Sequence, residues 1–531
     1  MQLKNKFWFL MSFLVVLNFL GCGGGGGGGS DASNGPTGPS IGDVLNDPNT
    51  LLHNTTLADS GKVDVVGTSQ GKINAITFNN ISVGNRFGMV FSALTSDKGK
   101  YRIIGNGGGG TELASILQSP VVSDGQGRFS SQAEADQEMY QKRCESLRQK
   151  RGSLKPSVKA DPTYNNSGEK IGDSVKFWAY SKSVAGNGQE YTQRTGILRR
   201  IGNYCKLFVD PDVYNGLSAV NGTYAITEAQ LDDIQSKFDQ YVYPLVSQGY
   251  GPPDDVDNDG KVTILFSPMY SKLGFAGLFD TVHIEGGQYS NHRDMIVVFT
   301  PYSQFSGSEW ESVALQTTAH EFQHLANFSY RFLRGYDAEE VWLDEGLAVG
   351  AEARYRILTG DKASNDNRFG EFVNATRNTS LLGFSWQLAC YGDGGMFTHY
   401  LFERGGADLI KQLVQSNLIG VNNINHVYSS FGGFYSIYRD WSMAVFTECH
   451  KPYVNRSNID PIYKYSADLG LDLTARTNKI GLQDRFQTTL SETAMAFLIV
   501  QVPMNLIGSQ MTMYYESPDT ASMSCSIIKL N

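Results

Sequence analysis

The sequence predicts an α+β protein: a mixed sheet and long helices in the central part, an all-β domain before them and a short β-rich region after them. Three observations carry this. Between about 46 and 125, and again from about 470, runs such as "KINAITF", "RFGMVFSAL" and "AMAFLIVQV" are rich in β-branched and aromatic residues. Gly, Asn and Ser bound many of them, the pattern of strands between tight turns. From about 170, apolar runs ("KVTILF", "MIVVFT") alternate with segments whose apolar residues recur every three or four positions, the helical period. Charged residues make only 18% of the chain, which holds 58 glycines, 27 tyrosines and 29 phenylalanines, a composition that suits a secreted protein of strands, turns and real cores.

Taken in order, residues 1–21 read as a signal peptide. Lys4 and Lys6 precede an apolar run from Phe7 to Leu20, shorter than the roughly 20 residues a bilayer span needs. The run ends in Leu-Gly-Cys, which resembles a bacterial lipobox, so Cys22 is the expected lipidation site and the membrane a partner through that anchor. Residues 22–45 begin with seven glycines after Cys22 and cannot bury apolar surface; they are expected to form a disordered tether. Gly23, in place of Asp, resembles the sorting pattern for the outer membrane of a bacterial cell envelope. Five further cysteines (Cys144, Cys205, Cys390, Cys449, Cys525) show no metal-knuckle spacing, and their pairing cannot be deduced. A net charge of −9 without a sustained basic run argues against a nucleic-acid partner.

Residues 46–125 form the predicted all-β domain. The segment 126–169 reads as a helix and linker: "SSQAEADQEMYQKRCESLRQK" lacks Gly and Pro and suits a polar, exposed helix, and the stretch after it carries turn residues. The central domain spans 170–455. Its helices are "TEAQLDDIQSKFDQYVYPLVSQGYG", capped by Thr227, then "SEWESVALQTTAHEFQHLANFSYRF" and "VWLDEGLAVGAEARYRIL", with two more inside "GGMFTHYLFERGGADLIKQLVQ". Residues 456–531 are the β-rich C-terminal region.

The chemistry centres on "AHEFQHL". On a helix, His320 and His324 lie about 40° apart in azimuth and one turn apart in height, so both imidazoles leave one face and can meet one ion. Glu321 sits about 100° round from His320, placed to reach a water on that ion rather than the ion itself. A catalytic zinc site needs a third protein ligand and an open position. Twenty residues lie between His324 and Glu345, enough to end one helix, turn and bring a second helix back.

HExxH followed by Trp-Leu-x-Glu-Gly-x-Ala resembles the gluzincin metallopeptidases, and more closely the hyicolysin-type bacterial zinc peptidases. The likeness runs through "GDSVKFW", "PLVSQGYGPPDDVDNDGKVTILF", "SNHRDMIVVFT", "TTAHEFQHL", "WLDEGLA" and "CYGDGGMFTHYLFERGG", about residues 170 to 450. The resemblance implies a gluzincin-type domain with an HExxH active-site helix, Zn2+ held by His320, His324 and Glu345, and Glu321 as general base. The expected activity is that of a membrane-tethered zinc endopeptidase on protein or peptide substrates. A surface adhesin or matrix-binding lipoprotein with a structural or inactive zinc site is the alternative from another class. One position departs from the gluzincin pattern: Val349 stands where an aspartate orients a zinc histidine, so that carboxylate must come from elsewhere, with Asp344 and Glu352 as candidates.

Three further expectations follow. "MIVVFT" is either a substrate-binding strand edge, as in this peptidase class, or a buried central strand. Tyr391 is a candidate donor to the developing oxyanion. Asp255, Asp257 and Asp259, followed by Gly260, match positions one, three, five and six of a Ca2+ loop, though position twelve is Phe266 rather than Glu.

Overall fold

The computed structural model describes residues 51–57, 59–66, 73–94, 101–106, 130–151, 165–181, 190–213, 225–302, 305–361, 367–467, 479–481, 485–502, 510–516 and 523–530, with Pro48 and Leu469. The signal peptide, the tether and Cys22 lie outside the described residues. Those described belong to one compact unit, Ser40–Asn531. Strands β1 (Leu51–Thr55), β2 (Val63–Val66), β3 (Ile73–Asn79), β4 (Arg86–Ala93) and β5 (Tyr101–Asn106) precede helix α1 (Ser130–Lys150). Next come β6 (Ser174–Tyr180), β7 (Tyr191–Ile201), β8 (Cys205–Val209), α2 (Glu228–Lys237), α3 (Tyr243–Gly249) and β9 (Val262–Ser267). Short helices α4 (Pro268–Leu273) and α5 (Val282–Glu285) flank β10 (Gly277–Leu278), and β11 (Met295–Phe299) follows. Helices α6 (Gly307–Arg334), α7 (Val341–Thr359), α8 (Asn367–Asn374), α9 (Leu388–Gln415), α10 (Gly420–Val427) and α11 (Gly433–Cys449) complete the central region. Strands β12 (Lys479–Gly481), β13 (Arg485–Leu490), β14 (Met495–Gln501), β15 (Gln510–Glu516) and β16 (Met523–Lys529) end the chain.

Local sequence explains much of this. Thr227 and Gln230 form a reciprocal capping box at the start of α2, satisfying two backbone donors the first turn leaves free. A π-turn over Phe238–Val242 joins α2 to α3, just ahead of Pro244, whose missing N–H could not continue a regular ladder. The helix α9 breaks at Gly406, which adopts φ 70°, ψ −178°; this makes the two helices predicted there.

The central sheet has the order β10-β11-β9-β8-β7-β6 and is mixed, as the sequence predicts, with β11, β9 and β8 parallel and the others antiparallel. The strand β11 pairs on both sides and is buried along its length, so "MIVVFT" is an interior strand and offers no edge to a peptide. Its continuous apolar run reflects that double burial. Among the described strands, β10 is the edge of the sheet on this side.

The two β-rich ends do not form separate regions. One sheet runs β1-β3-β15-β5-β13 and the other β12-β14-β4-β16-β2, so N- and C-terminal strands interleave in both. This corrects the predicted division between an all-β domain at 46–125 and a distinct region at 456–531. Strands β3, β4 and β5 present backbone donors and acceptors that only a neighbouring strand can satisfy, and the C-terminal strands supply them. In β4, Phe87, Met89, Phe91 and Ala93 enter a core shared with residues of both sheets, while Val90 packs with Met443 and Phe446 of α11. Gly88 faces Phe446 so closely that any Cβ would collide with its ring.

The helix α1 also differs from its prediction as a polar, exposed helix. Ala135, Met139, Arg143, Ser146 and Leu147 are buried, a stripe at three- and four-residue steps that packs against the central domain. None of the five described cysteines is in a disulfide.

Candidate metal centre

Helix α6 ends at Gly335, in the left-handed region with φ 63°, and the chain returns through Glu340 into α7. The fold of this return puts Glu345, in the second turn of α7, opposite His320 and His324. Its depth is set by a close helix crossing. A Cβ on Gly394 of α9 would stand 2.9 Å from the Trp342 carbonyl and 3.1 Å from Gly346 Cα, and Thr398 Oγ1 donates to the Gly346 carbonyl at 2.5 Å. Glycine at these positions lets α7 and α9 approach backbone to backbone.

His320 Nε2 and His324 Nε2 stand 3.2 Å apart, and Glu345 Oε2 lies 3.5 Å from the first and 3.4 Å from the second. Three ligands about 2.0–2.1 Å from a tetrahedral zinc would be separated by about 3.3–3.4 Å, so the triangle has the size of one face of a zinc tetrahedron. Glu345 is 1% exposed, and its Oε2 is buried without a hydrogen-bond partner, an orphaned acceptor aimed at the point where a cation fits. All three sequence-predicted ligands meet here.

Carboxylates stand beside the outer nitrogens of both imidazoles, within hydrogen-bond distance at His320 and farther off at His324. His320 Nδ1 is 2.6 Å from Glu352 Oε1, and Arg368 holds Glu352 through both guanidinium nitrogens. His324 Nδ1 is 3.5 Å from Asp344 Oδ1, which also accepts from Asn327 Nδ2 at 2.8 Å. Such partners fix ring orientation and direct Nε2 to the ion. Val349 is buried against Gly395 of α9, a position where a Cβ would collide with it; the carboxylate sits one turn later, at Glu352.

Glu321 shares α6 with the histidines but points towards β10. Its Oε2 accepts from the Phe279 N–H at 2.9 Å. Burial pushes its carboxyl above the usual range, against the opposing pull of His320 and His324, the direction that suits a proton acceptor working near neutrality. Burial raises Glu345 too, but His324, His320 and Arg143 override it and hold Glu345 well below the ordinary carboxylate value.

Sequence reasoning missed what α1 brings here. Arg143 Nη2 donates to Glu345 Oε1 at 3.2 Å and lies 3.1 Å from Asp344 Oδ2. The hydroxyl of Tyr391 donates to Asp136 Oδ2 at 2.8 Å. Burial, then the charges of Glu345 and Glu321, push Asp136 up to about 7. The four-residue spacing of Ala135, Met139, Arg143 and Leu147 was the available signal, since it marks an inward face.

The Asp255, Asp257 and Asp259 carboxylates also converge, with oxygens within 4.8 Å of one another. The Asp255 carboxylate accepts the N–H groups of Asp259 and Gly260, and Asn258 and Gly260 take the positive φ a tight turn requires. Protein cations already stand here: Lys206 Nζ is 2.5 Å from Asp259 Oδ2, and Arg293 approaches Asp257 at 4.0 Å. Asp257 is fully buried, and its Oδ1 has no hydrogen-bond partner.

No known family profile matches the chain. Over 209 residues it is 29% identical to a neutral metalloprotease, ShpI, of Staphylococcus hyicus. The match covers 36% of this chain and 46% of that protein, so the chain spans about half the length of the relative it matches. This similarity supports a metallopeptidase family.

Proposed function

We propose that the protein is a zinc-dependent endopeptidase of the hyicolysin type, held to the bacterial outer membrane by a lipid on Cys22. The observation that carries the peptidase reading is the triangle of His320 Nε2, His324 Nε2 and Glu345 Oε2, with Glu321 on the same helix turned aside from it. Zinc bound there supplies a Lewis acid and lowers the pKa of water towards neutrality. Glu321 takes the proton from the attacking water and later returns it to the leaving amine. Its hydrogen bond from Phe279 holds the carboxylate in line with β10. The free edge of β10 aligns an extended peptide by backbone hydrogen bonds. Glu352 and Asp344 keep both imidazoles oriented, and Tyr391 offers its hydroxyl to the developing oxyanion.

Zinc content measured alongside casein cleavage tests this reading. One zinc per chain, with cleavage lost on chelation and restored by zinc, is expected. Zinc held without any cleavage, both in the wild type and in a chain whose helix α1 is displaced from this site, would favour the adhesin alternative. For the anchor, Cys22→Ser is expected to move the protein from the detergent phase to the aqueous phase; unchanged retention would reject lipidation there.

We also propose calcium at Asp255, Asp257 and Asp259, supported by their convergence and by the unpartnered Asp257 Oδ1. Its role there is to neutralise crowded carboxylates, not to take part in peptide hydrolysis.

A further inference from the structure

Helix α1 lies across the metal centre and makes polar contacts with both of its walls. On one wall, the Gln132 side chain reaches β10: its Nε2 donates to the Gly277 carbonyl at 3.3 Å, and its Oε1 accepts from the N–H of Ala276, just before the strand, at 2.7 Å. In a strand, alternate residues direct their backbone groups to the same side, so the Gly277 carbonyl and the Phe279 N–H that binds Glu321 face the same way. Gly277 itself lies against α6, where a Cβ would collide with Thr317 and stand 3.0 Å from Glu321 Cγ. Gln132 thus takes one outward acceptor of the β10 edge, the Gly277 carbonyl, beside the candidate base.

One helical turn further along, Asp136 receives the hydroxyl of Tyr391 at 2.8 Å, the group suited to binding an oxyanion. Gln132 Nε2 donates to its other oxygen at 2.6 Å. Two turns beyond, Arg143 reaches Glu345 and Asp344 on the opposite wall, and between them the Tyr140 hydroxyl donates to the Glu339 carbonyl at 2.9 Å. From residue 132 to 143 a helix advances about 16 Å, the length of about five extended residues. The apolar stripe of Ala135, Met139 and Leu147 anchors this span.

We propose that α1 is an intramolecular occupant of the peptide cleft: Gln132 takes the outward Gly277 carbonyl of β10, Asp136 stands where the scissile carbonyl meets Tyr391, and Arg143 clamps Glu345. The chain in this arrangement is a latent peptidase, and α1 must leave before a substrate can enter. This rests on the peptidase reading above.

The test uses the full chain as wild type, as Gln132→Ala/Asp136→Ala and as Ala135→Arg. The last puts a long cation at a buried position of α1 and undocks it without touching a polar contact. Melting curves and zinc content are recorded for all three. The probe is a fluorescent peptidyl hydroxamate, which needs both zinc and an open cleft. Both variants are expected to bind it about tenfold or more tighter than wild type, because an occluded majority state lowers apparent affinity by the open fraction. Cleavage of a fluorogenic peptide should rise in parallel. Zinc-loaded variants that bind the probe with wild-type affinity would overturn the occupant. A fall in cleavage in both variants would overturn it too and make Asp136 a positioning residue for Tyr391. A wild-type chain that takes up no zinc overturns the peptidase reading, and this inference with it.

Discussion

Two clusters of acidic side chains can be compared: the group around Glu345 and the loop around Asp257. Each has a fully buried carboxylate with one oxygen lacking a hydrogen-bond partner. They differ in what surrounds it. At Glu345 the neighbours are two imidazole nitrogens at ligand spacing, each imidazole backed by its own carboxylate. At Asp257 the neighbours are other carboxylates, together with Lys206 and Arg293, which already offset part of the charge. Imidazole with carboxylate suits zinc, and an all-oxygen set suits calcium. On the function proposed above, the first group presents an ion to a reactant, and in the second an ion relieves the carboxylates' own repulsion.

The largest expected effect separates the two acids of the first group. Glu321→Gln should lower peptide cleavage by about 100- to 10,000-fold, the usual worth of a general base, while zinc stays bound. Glu345→Ala should lose zinc and activity together. Equilibrium dialysis with metal analysis, run beside a fluorogenic-peptide assay, checks both. Stoichiometric zinc in Glu345→Ala would make the two clusters less different than they look, and Glu340 or Glu352 would then be tried as the ligand.

A smaller effect is expected at the carboxylate behind His320. Glu352→Ala frees the ring of His320 and removes the carboxylate that Arg368 holds. Zinc affinity should fall about 10- to 100-fold, as is usual for such partners. Competition with a chromophoric chelator reads this out, and an unchanged affinity would show that packing alone orients the imidazole.

The smallest effect lies in the loop. Burial, and then the charge of Asp259, push Asp257 from the ordinary 3.8 up to about 6 when folded. The folded state therefore takes up this proton more readily than the unfolded state. The loop's contribution to stability is full below about pH 4 and is lost as pH rises through about 6. Calcium competes with that proton, so its effect on melting should be a few degrees at pH 8 and near zero at pH 5. Asp257→Ala should abolish the calcium response at both. Equal responses in wild type and variant would remove the loop as a calcium site.

The two clusters were both readable in the sequence because their members are close along the chain. His320, Glu321 and His324 share one helix, and the three aspartates share one turn, so helical or turn geometry alone brings them together. Glu345 needed only a reversal between adjacent helices. The carboxylates behind the histidines were narrowed to Asp344 and Glu352, but Val349 became intelligible only once Gly395 of α9 was seen against it. Arg143, Asp136 and Gln132 were not recognised, because their partners lie 202, 255 and 144 residues away.

By itself the sequence determined the helices, the strand-rich ends and the residues able to hold a metal, because periodicity, capping and ligand spacing act over a few residues. Tertiary structure alone decided which of the described strands is the sheet edge, that the two ends of the chain share their sheets, and that α1 packs against Glu345 and Asp344. Those depend on which distant surfaces bury one another, and backbone groups of one strand accept any neighbour of suitable register. A polar helix with a narrow apolar stripe carries no mark of its partner; only the packed chain shows that its partner is the metal centre.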